Sequence, residues 1–471
     1  MKNRIIVTLS LLLIATSQIL AQVPNSDTKY QKPLKEVLNE VERRFDVKLR
    51  ISDKDLEEKV LDYADWRFRP DFEQSIKNIL APFDFVCLPD GADGKYKIEK
   101  YRYHLKTVLE AKQILDHLAS LYTKKEEWEI RRSELKSCIL EAIRLSPMPV
   151  SPKSKPILGE IRKMNGYTVQ NLALEILPGV YTSASLYQPA KQKGKIPVVL
   201  CPNGHFAEGR YNKDVQARCA GLARMGAMAI SYDLFAWGES ALQFDSKLHQ
   251  TSMANTIQAL SSIRILDYLL SLDNADSERV AITGGSGGGS HSMLISAIDD
   301  RIKVSVPTVM MSAIHYGGCP CESGNPIHLC GEGTNNVEIA ALFAPKPQLI
   351  ISDGGDWTAN VPELEFPYLK RIYSFYGPDA EVQNIHFKNE KHDYGTSKRI
   401  AMYHFIARQL KLNEEMVFNK EGNLDESAIT IENADRLKVF GVEGKYLPAN
   451  AIHSMAELMV VFENAKNDSV K

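Results

Sequence analysis

The sequence predicts an α/β protein with a mostly parallel central sheet flanked by helices, preceded by a small α+β domain. Two observations carry this. Six short strand-like runs, at residues 197–201, 227–232, 279–283, 304–310, 347–352 and 382–387, recur with helical patterns between most of them, notably at 253–272. Apolar strands alternating with helices are what a parallel sheet covered on both faces requires. A second, unrelated pattern of short elements occupies residues 30–100.

Length and charge are compatible with this and exclude little else. The 471 residues exceed what one compact domain usually needs. The 57 basic and 59 acidic side chains nearly cancel, so no electrostatic argument favours nucleic acid or an anionic membrane as partner. Lys2 and Arg4, an apolar run at 5–14 and small residues up to Ala21 read as an export signal over residues 1–21. A membrane span would need roughly 20 apolar residues, and none is expected. The expected location is therefore secreted or periplasmic.

Export would place the seven cysteines in an oxidising compartment, with at least one left unpaired. Cys319, Cys321 and Cys330 cluster around His328, which raises the question of a metal. One residue separates Cys319 from Cys321, closer than zinc sites usually space their first two cysteines. A loop-stapling disulfide or buried thiols is the expectation, with no metal and no cofactor.

Residues 30–100 read as helix, two strand-like runs (47–52 and 60–68), a helix at about 70–81 and two strands around the turn at 89–94. This order resembles the short N-terminal domain of secretins and TonB-dependent receptors. The resemblance implies docking to an envelope protein partner. Residues 103–144 are helical in pattern, 166–189 read as a hairpin turning at Pro178-Gly179, and 413–471 as an extension packed on the larger domain at 103–412.

The chemistry centres on one strand end. The run at 279–283 enters Gly284-Gly285-Ser286-Gly287-Gly288 and then a helix at about 289–298. This is G-x-S-x-G between strand and helix, a turn tight enough to exclude flanking side chains and to expose the serine. The glycine run lacks the lysine of a phosphate-binding P-loop and the spacing of a dinucleotide fingerprint. A serine hydroxyl needs a base, and the base an acid to orient it. Downstream, Asp356 follows the strand at 347–352 across a two-glycine bend and is preferred to Asp353, a turn cap. His392 lies after the last strand and is the expected base, whereas His291, His386 and His404 read as packing or surface residues. The amides of Gly287 and of His205 or Phe206 would form an oxyanion hole. Trp237, Trp357 and Glu322 are candidates for a substrate pocket.

With these residues placed, residues 103–412 resemble the acetyl xylan esterase-like branch of the α/β-hydrolases. The segments that carry the resemblance are 201–205, 233–240, 284–289, 299–302, 319–322, 336–345 and 355–358, with Asp393 after His392 a departure from the pattern. The resemblance implies a secreted bacterial serine esterase acting on acyl, above all acetyl, esters of a carbohydrate, with Ser286, Asp356 and His392 as its triad. Rival readings are a prolyl oligopeptidase-type peptidase, a glucuronoyl esterase and a non-catalytic carbohydrate-binding or envelope-docking protein. The first usually carries a propeller for which about 80 preceding residues are too few. The second carries arginine directly after the serine, where this chain has Gly287. A retired site has no reason to keep all three triad groups.

Overall fold

A computed structural model describes residues 30–91, 93–191, 194–323 and 326–469, and the expected export signal lies outside them. The chain divides into two units, Met1–Tyr103 and His104–Lys471.

In the first unit, helix α1 (Leu34–Phe45) turns Leu34, Val37, Leu38 and Val41 inward at helical spacing. Strands β1 (Lys48–Arg50), β2 (Phe85–Pro89) and β3 (Lys95–Lys100) form a sheet in which β3 is central, parallel to β1 and antiparallel to β2. Helix α2 (Phe72–Leu80) begins where the Asp71 side chain accepts from the Gln74 amide at 2.8 Å. The run at 60–68 is not one strand. Only Val60–Leu61 pairs, with Lys32–Pro33, before Tyr63 turns left-handed (φ 52°) and Ala64–Arg67 closes a helical turn.

The second unit is built on a nine-stranded sheet. Helices α3 (Val108–Ser120) and α4 (Lys125–Ala142) lead into three antiparallel strands, β4 (Ile157–Lys163), β5 (Tyr167–Leu177) and β6 (Val180–Pro189). Then follow β7 (Ile196–Pro202), α5 (Lys213–Met225), β8 (Met228–Tyr232), α6 (Ser252–Leu270), β9 (Ala275–Gly285), α7 (Gly287–Ile298) and β10 (Val304–Thr308). Helix α8 (Asn336–Ala341), β11 (Gln348–Asp353), α9 (Phe366–Ser374), β12 (Val382–Phe387), α10 (Thr396–Leu410) and α11 (Met455–Asp468) complete it. The strand order is β12-β11-β10-β9-β7-β8-β6-β5-β4, and β7 to β12 are mutually parallel.

Alternation along the strands explains the two helical layers. Val198 and Leu200 of β7 join one apolar core with Leu260 of α6 and Leu294 of α7. Val199 and Cys201 join another, with Cys219 of α5 and Met402 of α10. Successive side chains of a strand face opposite sides, so each needs its own cover. This is an α/β-hydrolase fold. From β7 the chain moves to β8 on one side and returns to β9 on the other. That reversal opens a crevice beyond the carboxyl ends of the strands.

The segment after α10 crosses the hydrolase and ends in α11, whose Leu458 and Phe462 are fully buried in the first core. The charged end of the chain is helical as far as Asp468. A disulfide joins Cys138 of α4 to Cys330, 192 residues away. Among the described residues, no helix is long and apolar enough to cross a membrane.

Candidate active site

Three loops at the carboxyl edge of the parallel strands carry the expected triad residues. Ser286 follows β9 and precedes α7, with φ 56° and ψ −125°, a conformation a non-glycine residue holds only when its surroundings enforce it. Its amide donates to the Thr308 carbonyl at 3.1 Å, which anchors the turn to β10. Close packing explains two of the neighbouring glycines. A Cβ on Gly287 would lie 2.5 Å from a Glu322 oxygen and 2.9 Å from the His205 ring, and one on Gly204 would strike the Gly285 carbonyl. The 202–206 loop therefore lies directly on the serine turn. Gly287 opens α7, where an N–H has no acceptor within the helix and is available to a developing anion.

Asp356 follows β11 and His392 follows β12. The His392 Nδ1 lies 2.6 Å from Asp356 Oδ2, and the aspartate side chain is 2% exposed. The other oxygen of Asp356 accepts from the Thr358 amide and hydroxyl, both at 2.6 Å, so the carboxylate is fixed before it meets the imidazole. Asp353 is engaged elsewhere, 3.0 Å from the ammonium of buried Lys398. Lys398 also donates to the Lys391 carbonyl at 2.8 Å and to Asp393 at 2.9 Å, which pins both flanks of His392 and gives Asp393 its task. Tyr394 lies against Gly285, and its hydroxyl is 2.6 Å from that of Thr283, docking the histidine loop on the strand that carries Ser286.

The pocket candidates separate. Trp357 is half-buried, with its ring 4.4 Å from both His392 and His315. Trp237 is half-buried and packs on His205 and His249. Glu322 is a buried group. It is 5% exposed, accepts from the Gly318 amide at 2.7 Å and stands 3.3 Å from His205 Nδ1. Burial opposes its charge, but the hydrogen bonds from His205 and the Gly318 amide outweigh that and hold its pKa below the ordinary carboxylate value. The side chains around His328 are engaged with other partners. Cys330 is disulfide-bonded to Cys138, and His328 bonds Asn336 at 2.9 Å. His291 is buried, its Nε2 2.6 Å from the Gln258 amide nitrogen, and burial lowers its pKa to about 4.

Several organising residues carry no signal in the sequence. Arg210 is wholly buried between Asp233, at 3.0 Å, and Glu239, and Glu239 in turn accepts from the amides of Val439 and Phe440. This ties the rim loop at 233–240 to the C-terminal segment. His249 sits in a short helical turn with no motif around it.

No family model matches the chain. The solved structure of the methylesterase BT1017 superposes with a TM-score of 0.79 and 44% sequence identity, over 94% of this chain and 99% of that one. The chain belongs to that methylesterase's family. It is accordingly a hydrolase of the esterase type. A solved structure from Bacteroides fragilis, named as an acetyl xylan esterase, is similar at 16% identity and a TM-score of 0.46, over 57% of this chain and 78% of that one. YtaP of Bacillus subtilis, named as a hydrolase, is 24% identical over 175 residues, 33% of this chain and 58% of its own length. The match thus spans less than two thirds of that relative.

Proposed function

We propose that this member of the methylesterase family is a serine esterase that cleaves small esters carried on a carbohydrate, methyl esters first. The observation that supports the mechanism is that Tyr394, two positions after His392, packs against Gly285, next to Ser286, while Asp356 orients the imidazole. Ser286 Oγ attacks the ester carbonyl while His392 Nε2 takes its proton. Asp356 holds the proton on Nδ1 and stabilises the imidazolium that results. The oxyanion forms against the amides of Gly287 and of His205 or Phe206, which cost no reorganisation as charge develops. His392 then returns the proton to the leaving alcohol, and water releases the acyl group by the same route. The chain's own residues account for every proton.

The name of the 44% identical relative favours a methyl ester, which would leave a carboxylate on the sugar and release methanol. The second reading, an acetyl ester, rests on the motif segments that resemble acetyl xylan esterases. Two further elements of the proposal are export directed by residues 1–21 and docking of the 30–100 domain to an envelope partner.

A fluorophosphonate probe should label the purified chain, and Ser286→Ala should abolish labelling. Persistent labelling of the variant removes Ser286 from the mechanism. Methanol release from a methyl-esterified uronate polymer, measured beside acetate release from acetylated xylan and cleavage of a peptide, separates the substrate readings.

A further inference from the structure

Beneath the 202–206 loop, four soft ligand atoms from three distant segments meet. They are Nε2 of His205, Nε2 of His249, and the sulfurs of Cys319 and Cys321, all within 4.8 Å of one another. The two Nε2 atoms are 2.9 Å apart, and His205 Nε2 lies 3.0 Å from Cys321 Sγ and 3.4 Å from Cys319 Sγ. His249 Nε2 lies 3.8 Å from Cys319 Sγ. In this structure the two sulfurs are joined as a disulfide.

The hydrogen bonds on the far sides of the rings set what the near sides offer. His249 Nδ1 is 2.7 Å from the Phe235 carbonyl, which can only accept, so that nitrogen carries the proton. His205 Nδ1 faces the Glu322 carboxylate at 3.3 Å and is a donor on the same ground. Each imidazole therefore turns an Nε2 lone pair toward the other. Two lone pairs at that separation need a cation with them. Carbonyl and carboxylate partners behind two imidazoles are also the outer shell that orients histidine ligands on a metal.

We propose that His205, His249, Cys319 and Cys321 form a tetrahedral site for one divalent ion of the zinc class when the two cysteines are reduced. Metal bonds of about 2.0 Å to nitrogen and 2.3 Å to sulfur give tetrahedral edges of about 3.3 Å between nitrogens, 3.5 Å between nitrogen and sulfur and 3.8 Å between sulfurs. The nitrogen–nitrogen separation and the nitrogen–sulfur separations of His205 to both sulfurs and of His249 to Cys319 already approach these. The sulfur pair must open, and side-chain rotation at two residues whose Cα atoms are 5.3 Å apart allows it. The chemistry balances with a dithiol or phosphine as reductant. The Cys319–Cys321 bond takes two electrons from it, with two protons from the dithiol itself or, for a phosphine, from the water that oxidises it to the phosphine oxide, and the ion then displaces both thiol protons. Metal and disulfide are thus alternative closures of one clamp. Either holds the 202–206 loop, the turn bearing His249 and the 319–321 segment together behind Ser286.

The full-length chain, reduced anaerobically and freed of reductant, should bind one Co²⁺ with the intense visible bands of tetrahedral cobalt and a thiolate charge-transfer band. One equivalent of Zn²⁺ should bleach both. Cys319→Ser and His249→Gln should each lose the one-to-one complex while keeping a native circular-dichroism spectrum, and Cys87→Ser should retain it. Glu322→Gln should weaken Co²⁺ binding by about 10–100-fold through the His205 ring. Because Cys138 and Cys330 are reduced too, Cys330→Ser should keep the cobalt spectrum. The proposal is overturned if the folded, reduced chain takes up no Co²⁺, which would leave a proton between the two imidazoles. Binding without a thiolate band, or unchanged in Cys319→Ser, overturns it as well. Uptake is read without substrate, so it fails or holds independently of the esterase reading.

Discussion

Replacing Asp356 by asparagine tests the proposed mechanism most directly, because the structure dictates which way the amide must face. Oδ1 of Asp356 accepts from both the amide and the hydroxyl of Thr358 at 2.6 Å, and a carbonyl oxygen will keep that place. The amide nitrogen is then turned to His392 Nδ1, where the carboxylate now accepts at 2.6 Å. A donor there forces Nδ1 to accept and moves the imidazole proton to Nε2. An imidazole protonated at Nε2 cannot take the proton of Ser286. In a serine protease the corresponding change lowers kcat about 10⁴-fold, equivalent to about 5.4 kcal/mol of transition-state stabilisation. The expected result for Asp356→Asn is a kcat loss of that order with KM nearly unchanged, measured on a small aryl ester. Asp353→Asn serves as the control. Its partner is Lys398, so its effect should fall on the denaturation midpoint and much less on turnover. If Asp356→Asn kept kcat within tenfold of the wild type, or if Asp353→Asn lost as much, the assigned acid would be wrong.

Two further expectations concern stability. Arg210→Met leaves Asp233 and Glu239 as uncompensated buried carboxylates and should cost about 3–5 kcal/mol, read from urea denaturation. Glu365 is fully buried, and burial raises its pKa from 4.5 to about 7 against its hydrogen bond from the Ala313 amide. Between those values the folded chain holds a proton that the unfolded chain has lost. Stability from this group is therefore complete below pH 4.5 and is lost as pH rises through about 7. The span is roughly 3 kcal/mol, and Glu365→Gln should remove it, with equal slopes of stability against pH in the two proteins counting against the assignment.

Local sequence carried a large part of the fold. Most of the parallel strands are apolar on both faces and stand out as runs, and the half-buried β12, which alternates polar and apolar residues less regularly, still begins and ends at the residues expected. Strand β4 was invisible because most of its residues are exposed, leaving no apolar alternation to see. The run at 60–68 misled for the opposite reason, since its hydrophobic residues serve a left-handed turn and a helical turn instead of one sheet face.

The strained serine turn was legible because its glycines are packing requirements written into neighbouring positions. The order of serine, acid and base along the chain narrowed the candidates for the other two groups. What tertiary structure alone decided is which side chains meet across long separations. Asp356 rather than Asp353 faces His392 because Lys398, 45 positions beyond Asp353, holds the latter. Cys330 pairs with Cys138, leaving Cys319 and Cys321 to meet two histidines from other loops. A local pattern records whether a residue is turned inward. It does not record what arrives from the other side of the core, because that depends on how the sheet is ordered and how its helices pack.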